Sequence, residues 1–308
     1  MPTEYTFTFP SHNGRDQVRA WKHLPDNAPR AVIQLMHGFC EHSRRYLHMI
    51  DTLNRAGFAV YCDDHIGHGQ TGVDNHAMGD SHANGYETYL SDEKTLHDIA
   101  VSEHPGVPFM VFGHSWGSML ARGYAARYGE DLAALMLCGL VSRWQSCSDA
   151  YYNETLREAY RAHPHQIAGD LFSVVFADMN ARVRNPVNDN AWLAVDPSVA
   201  IGHVNDPLNA KNATVELLWD LVALGHELDS DAWASQLPAH VPVYIIGGSD
   251  DPVGGYGEGL YYTAELLKNL GKSSTLCVYE GYRHEIQNDP AIRDQVEKGI
   301  VDFVNAHI

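Results

Sequence analysis

The chain has 308 residues with a hydrophobic fraction of 44% and an aromatic fraction of 10%, enough for a large buried core and unlike a disordered chain. Its formal net charge of -18 repels phosphate backbones and anionic lipid surfaces, which argues against a nucleic-acid partner held by a basic face. No apolar run reaches the roughly 18 to 20 residues of a membrane span, and the N-terminus MPTEYTFTFP lacks a basic leader region, so the expectation is a cytoplasmic protein without stable membrane insertion.

In chain order, strand-like runs fall at Glu4 to Phe9, Gln17 to Lys22, Ala31 to Met36, Phe58 to Asp63, Pro108 to Phe112, Ala133 to Cys138, Val241 to Ile246 and Ser274 to Tyr279. The first two read as an antiparallel hairpin, because Asn13-Gly14 in their connection favours chain reversal. Helical stretches fit Arg44 to Ala56, Tyr86 to Glu103, Ser118 to Tyr128, Tyr261 to Leu270 and Ala291 to Ala306. Ser43 is placed to cap the first of these and Gly57 to end it. This alternation predicts an α/β fold with a mostly parallel eight-stranded sheet covered by helices on both faces.

The alternation stops after Cys138 and resumes at Val241. Residues 141–236, rich in helix formers and aromatics such as Trp144, Phe172, Trp192 and Trp219, therefore read as an inserted, mainly helical cap. The core is then split into residues 1–140 and 237–308, with the cap as a lid over the sheet's C-terminal edge. Five cysteines, Cys40, Cys62, Cys138, Cys147 and Cys277, form no CxxC pair and read as small core residues in a reducing compartment.

Chemistry enters at GHSWG, Gly113 to Gly117, between a strand-like and a helix-like segment. A sharp strand-to-helix turn presents the middle serine at a helix N-terminus, whose free amides and dipole suit a developing anion. Ser115 is thus a candidate nucleophile, although the bare pattern recurs by chance. Its hydroxyl needs a base and a group to orient that base. GGSDDPV after the seventh strand offers Asp251, with Asp250 as the neighbouring alternative, and GYRHEIQND after the eighth offers His284. Ligands of open α/β sheets bind along that edge. An oxyanion needs donors as well, and the amides of Phe39, after His37-Gly38, and of Trp116 are the natural pair.

HGFCEHSRRY (His37 to Tyr46), DDHIGHGQT (Asp63 to Thr71), GHSWG, GGSDDPV and GYRHEIQND together resemble the α/β-hydrolase superfamily, specifically the monoacylglycerol lipase and lysophospholipase-like serine hydrolases. The order Ser115, Asp251, His284 is that of the superfamily. The resemblance implies Ser115 as nucleophile, His284 as base, Asp251 as its orienting acid, and Phe39 and Trp116 amides as oxyanion hole. It implies a carboxylic ester substrate, small and in some members lipid-derived, and no cofactor. Substrate contacts are expected from Glu41, Arg45, His114 and Trp192, with an i,i+4 Glu41-Arg45 pair serving only its helix as the alternative. Cys40, Phe39, Trp116 and Ser118 depart from the family pattern of glycine, a small residue, methionine and glycine. The two large aromatics predict a narrowed acyl end that favours short or slim acyl groups.

The same residues admit other readings. A proline-type aminopeptidase of the same fold would need cap carboxylates for a free amine, and Glu154, Glu158, Glu216 and Asp220 are available. A non-catalytic ligand receptor would be expected to have lost a member of the triad, and none is missing. A metal site at His65-x-x-His68 or His163-x-His165 lacks further ligands at a recognisable spacing, so none is expected. The oligomeric state is left open.

Overall fold

Strands β1 (Thr3–Pro10), β2 (Gln17–Leu24), β3 (Ala31–Met36), β4 (Phe58–Asp64), β5 (Phe109–His114), β6 (Leu132–Cys138), β7 (Val243–Gly248) and β8 (Ser274–Tyr279) form one sheet, in the order β1-β2-β4-β3-β5-β6-β7-β8. The computed structural model describes residues 3–144 and 149–308, so the reading of Cys147 lies outside the described residues. β1 and β2 are the expected antiparallel hairpin, turning through Gly14 at φ 72°. β2 also runs antiparallel to β4, and every later pairing is parallel.

The inner strands are buried on both sides, so they read as continuous apolar runs. Within them the period of two still sorts the faces. Val32, Val111 and Leu137 pack on one side with α3 (Glu87–Glu103) and α4 (Trp116–Tyr128). Ile33, Phe112 and Met136 pack on the other with α1 (Leu47–Arg55) and α11 (Arg293–Asn305). A short α2 (Gly69–Asp74) follows β4, and α10 (Glu258–Asn269) links β7 to β8.

The chain leaves β3 to form β4 on one side and then returns to form β5 on the other. That reversal opens a crevice at the carboxyl ends of β3 and β5, where open α/β sheets bind ligands. Between β6 and β7 the described residues add no strand to the sheet. They hold a π-helical turn (Tyr151–Leu156) and the helices α5 (Arg157–Ala162), α6 (Asp170–Val175), α7 (Pro197–Asn205), α8 (Val215–Leu228) and α9 (Ala232–Gln236).

Several local expectations need correction. Ser43 does not cap the first helix, because Asp64 claims it: Ser43 N and Oγ both donate to Asp64 Oδ1, at 2.8 and 2.7 Å. A 3-10 turn, Ser43–Tyr46, precedes α1 instead. β2, β5 and β7 also run two residues past their predicted ends, the last two through glycines that a propensity reading takes as breakers.

Candidate active site

β5 ends at His114 and α4 begins at Trp116, so Ser115 alone makes the turn, at φ 56° and ψ -119°. A non-glycine residue held there costs on the order of 1–3 kcal/mol and persists only where the surroundings over-determine it. Those surroundings are tight. A Cβ on Gly117 would lie 2.0 Å from Met36 O, and one on Gly113 would lie 2.2 Å from Gly117 O. Both flanking residues must therefore be glycine for the helix to meet the sheet, which is what the spacing in GHSWG encodes.

Ser115 is half-buried and opens into a cavity of about 820 Å³ that His284 also lines. Asp251, in the loop after β7, and His284, in the loop after β8, are both buried, and His284 Nδ1 donates to Asp251 Oδ2 at 2.8 Å. Asp251 Oδ1 is fixed in turn by Val253 N at 3.0 Å. The adjacent Asp250 is exposed, so of the two carboxylates Asp251 is the one brought to the imidazole. Burial disfavours the His284 imidazolium, but the charge and hydrogen bond of Asp251 outweigh it and leave the pKa above the ordinary histidine value of 6.5.

The Gly38–Phe39 backbone passes close to the serine: a Cβ on Gly38 would lie 3.2 Å from Ser115 Cβ and 2.6 Å from Glu41 Oε1. Gly38 N donates to that oxygen at 2.7 Å, so its own amide is occupied. Trp116 N–H stands at the first position of α4, where an amide has no intrahelical acceptor.

The four expected substrate contacts separate. Glu41, His114 and Trp192 line the cavity, and Trp192 packs on His284 with ring centroids 5.0 Å apart. Arg45 is not among the lining residues. Its guanidinium binds Glu41 Oε2 and bridges to Glu285 at 2.8 and 2.7 Å. Glu41 precedes the 3-10 turn, so the pair does not serve a helix either. It ties the loop after β3 to the loop after β8. Tyr46 completes the cluster, its hydroxyl donating to Glu41 Oε1 at 2.5 Å and lying 2.8 Å from His114 Nδ1. Burial alone would raise the Glu41 carboxyl, but Arg45 and His114 hold it well below the usual range, and Arg45 likewise holds Glu285 down against its burial.

The expected narrow acyl end requires correction. Trp116 is 1% exposed, is absent from the cavity wall and packs edge-on against Tyr89 at 5.6 Å. Only Phe39 reaches the cavity, stacked with Phe176 at 6.0 Å and Phe172 at 6.4 Å. About 820 Å³ lies in the upper part of the usual range for small-molecule sites and does not describe a slot for slim groups alone.

Sequence reasoning missed the polar side of the wall, where His203, Asn190 and Asn209 stand, because polar residues in a helical insertion carry no motif. It also missed Arg283, which donates to Ala191 O and Ala194 O at 2.8 and 2.7 Å and so fastens the segment bearing Trp192 to the His284 loop. The proposed amine-binding acids are not in the cavity wall: Glu154 and Glu158 are exposed, and Glu216 and Asp220 are buried on α8. His65 stacks on His37 at 3.8 Å and its Nδ1 lies 3.1 Å from Glu93 Oε1 of α3, while His68 Nδ1 donates to Ile66 O at 2.9 Å.

An eight-stranded, mostly parallel sheet with a serine at its strand-to-helix elbow is the architecture of an α/β-hydrolase. The family described as Serine aminopeptidase, S33 matches residues 27–291, and the chain belongs to it. Among its relatives, a monoacylglycerol lipase of Mycolicibacterium smegmatis is 29% identical, with 91% of each chain covered. A monoglyceride lipase homolog of monkeypox virus is 32% identical over 94% of this chain and 92% of its own. In structure, a thermostable carboxyl esterase from Bacillus coagulans, solved with glycerol, is similar with a TM-score of 0.95 and 39% identity over 99% of both chains.

Proposed function

We propose that this chain, an ester-hydrolysing α/β-hydrolase, cleaves monoacylglycerols and related carboxylic esters of small alcohols through an acyl-enzyme on Ser115. The observation that carries the reading is the juxtaposition of a strained Ser115 with the buried 2.8 Å His284–Asp251 pair on one cavity.

In the mechanism, His284 takes the Ser115 proton as Oγ attacks the ester carbonyl. Asp251 holds the imidazole in the tautomer that leaves Nε2 free and stabilises the imidazolium. The amides of Phe39 and Trp116 receive the oxyanion, each such donor being worth about 2.7–4 kcal/mol in the transition state. His284 then protonates the departing alcohol and activates the water that releases the acid. Ser115, Asp251 and His284 come from the C-terminal ends of β5, β7 and β8, so the sheet itself holds their spacing. Residues 141–236 act as the cap, supplying Phe172, Phe176 and Met179 to an apolar wall for the acyl chain and Asn190 and His203 to a polar wall for the headgroup. The relatives named monoacylglycerol lipase and the esterase solved with glycerol support this assignment.

The family description favours the aminopeptidase as the second reading. A panel of monoacylglycerols, lysophospholipids, short esters and aminoacyl amides separates the two. The proposal expects the highest kcat/KM on monoacylglycerols or short esters, and faster cleavage of aminoacyl amides overturns it.

A further inference from the structure

We propose that Asp80, His82, His165 and Glu216 form a structural site for a transition-metal dication of the zinc type, which clamps the helical insertion onto the core. Asp80 and His82 lie in the loop between α2 and α3, His165 between α5 and α6, and Glu216 in the first turn of α8. Each offers one ligand atom, and the four atoms lie within 4.8 Å of one another. His165 Nδ1 is 3.0 Å from Asp80 Oδ1 and 3.7 Å from Glu216 Oε2, and His82 Nε2 is 3.2 Å from Asp80 Oδ2. A tetrahedral zinc with ligands at about 2.0 Å holds them roughly 3.3 Å apart. The imidazole side chains are 49% and 30% exposed, and their ring centroids lie 4.1 Å apart.

An independent observation points to the missing cation. Glu216 is 2% exposed, its Oε1 accepts from Asn84 N at 3.1 Å, and its Oε2 faces the cluster with no hydrogen-bond partner. A buried carboxylate oxygen without a partner is costly. A dication held by two carboxylates and two neutral imidazoles removes that cost and neutralises the cluster. Two nitrogen donors favour zinc over calcium or magnesium, which prefer oxygen.

The site bridges segments the backbone already brings together. Thr214 N donates to Gly79 O, Glu216 N to Pro164 O and Val215 N to Gln166 O, each at 2.8 Å. None of the four ligands lines the Ser115 cavity, so the metal acts on the docking of the insertion and not on the chemistry. His165, alone of the His163-x-His165 pair, finds its partners about 85 residues upstream and 50 downstream, which is why no spacing rule finds the site.

The test uses the full chain stripped with EDTA and titrated with ZnCl2 by isothermal calorimetry, with the melting temperature followed in parallel. One site per chain and a raised melting temperature are expected. His82→Gln/His165→Gln removes two solvent-facing ligands without disturbing the core, and Glu216→Gln removes the buried one. Each should weaken zinc by more than the roughly 10- to 100-fold typical of outer-shell changes. CoCl2 should give the visible absorption of a four-coordinate site in the unsubstituted chain and not in the double variant. The proposal is overturned if zinc does not bind, if the double variant binds it as tightly, or if CaCl2 raises the melting temperature as much as ZnCl2.

Discussion

Replacing Arg45 with leucine tests whether the buried carboxylates beside the site depend on one cation. The Arg45 side chain is 10% exposed and bridges Glu41 and Glu285, whose side chains are 3% and 2% exposed. Breaking a buried pair costs about 3–5 kcal/mol, because the partner charge is left unpaired. Here two carboxylates are orphaned, so the upper end, about 5 kcal/mol, is expected. At roughly 2 °C per kcal/mol for a chain of this size, the melting temperature at pH 7.5 should fall by about 10 °C. The pH dependence distinguishes charge from packing. Glu41 and Glu285 have depressed pKa values in the native protein, so their contribution is present above the unfolded glutamate pKa and is lost as pH falls through the folded values. In Arg45→Leu the carboxyls lose their cation and titrate upward, so the deficit against the parent should shrink on going from pH 7.5 to pH 4.5. Urea unfolding at the two pH values reads this directly. A loss under 1 kcal/mol, as for an exposed pair, or a deficit independent of pH would refute the reasoning.

The pH profile of kcat/KM should rise through an ionisation above 6.5, since in the proposed mechanism His284 must be neutral to accept the Ser115 proton and Asp251 stabilises its charged form; a midpoint below 6.5 contradicts this. Gly38→Ala places a methyl against Glu41 and Ser115, so kcat on a p-nitrophenyl ester should drop roughly 10²- to 10³-fold, as for loss of an oxyanion donor, with little change in KM. Phe39→Ala should shift the preference in a p-nitrophenyl ester series toward longer acyl chains, whereas Trp116→Phe should leave it unchanged because that ring is absent from the cavity wall. A shift in the tryptophan variant and none in the phenylalanine variant would reverse the assignment. Asp251→Asn should lower kcat about 10⁴-fold by analogy with other triads, while Asp250→Asn stays near the parent rate.

The sheet was legible because its strands are buried on both faces and so appear as unbroken apolar runs between amphipathic helices. The Ser115 elbow was legible because two steric demands, at Gly113 and Gly117, leave a spaced signature in the chain. What did not read through was side-chain direction. Trp116 follows the serine and Phe39 follows the Gly38 that lies against it, but the helix start turns the indole inward onto Tyr89 while the loop leaves the phenyl ring facing the insertion. Arg45 was read as a substrate contact or as a helix pair, because its second partner, Glu285, lies 240 residues away. The polar wall of the cavity and the Asp80–Glu216 cluster were hidden for the same reason. Each assembles residues from segments that only the tertiary fold brings together.

Intact-protein mass spectrometry after a fluorophosphonate, with peptide mapping of the adduct, reads whether Ser115 is the acylated nucleophile. One phosphonyl group per chain on Ser115, full loss of ester turnover on labelling, and neither adduct nor turnover in Ser115→Ala are expected. Labelling at another residue, or ester turnover in Ser115→Ala at the parent rate, would contradict it.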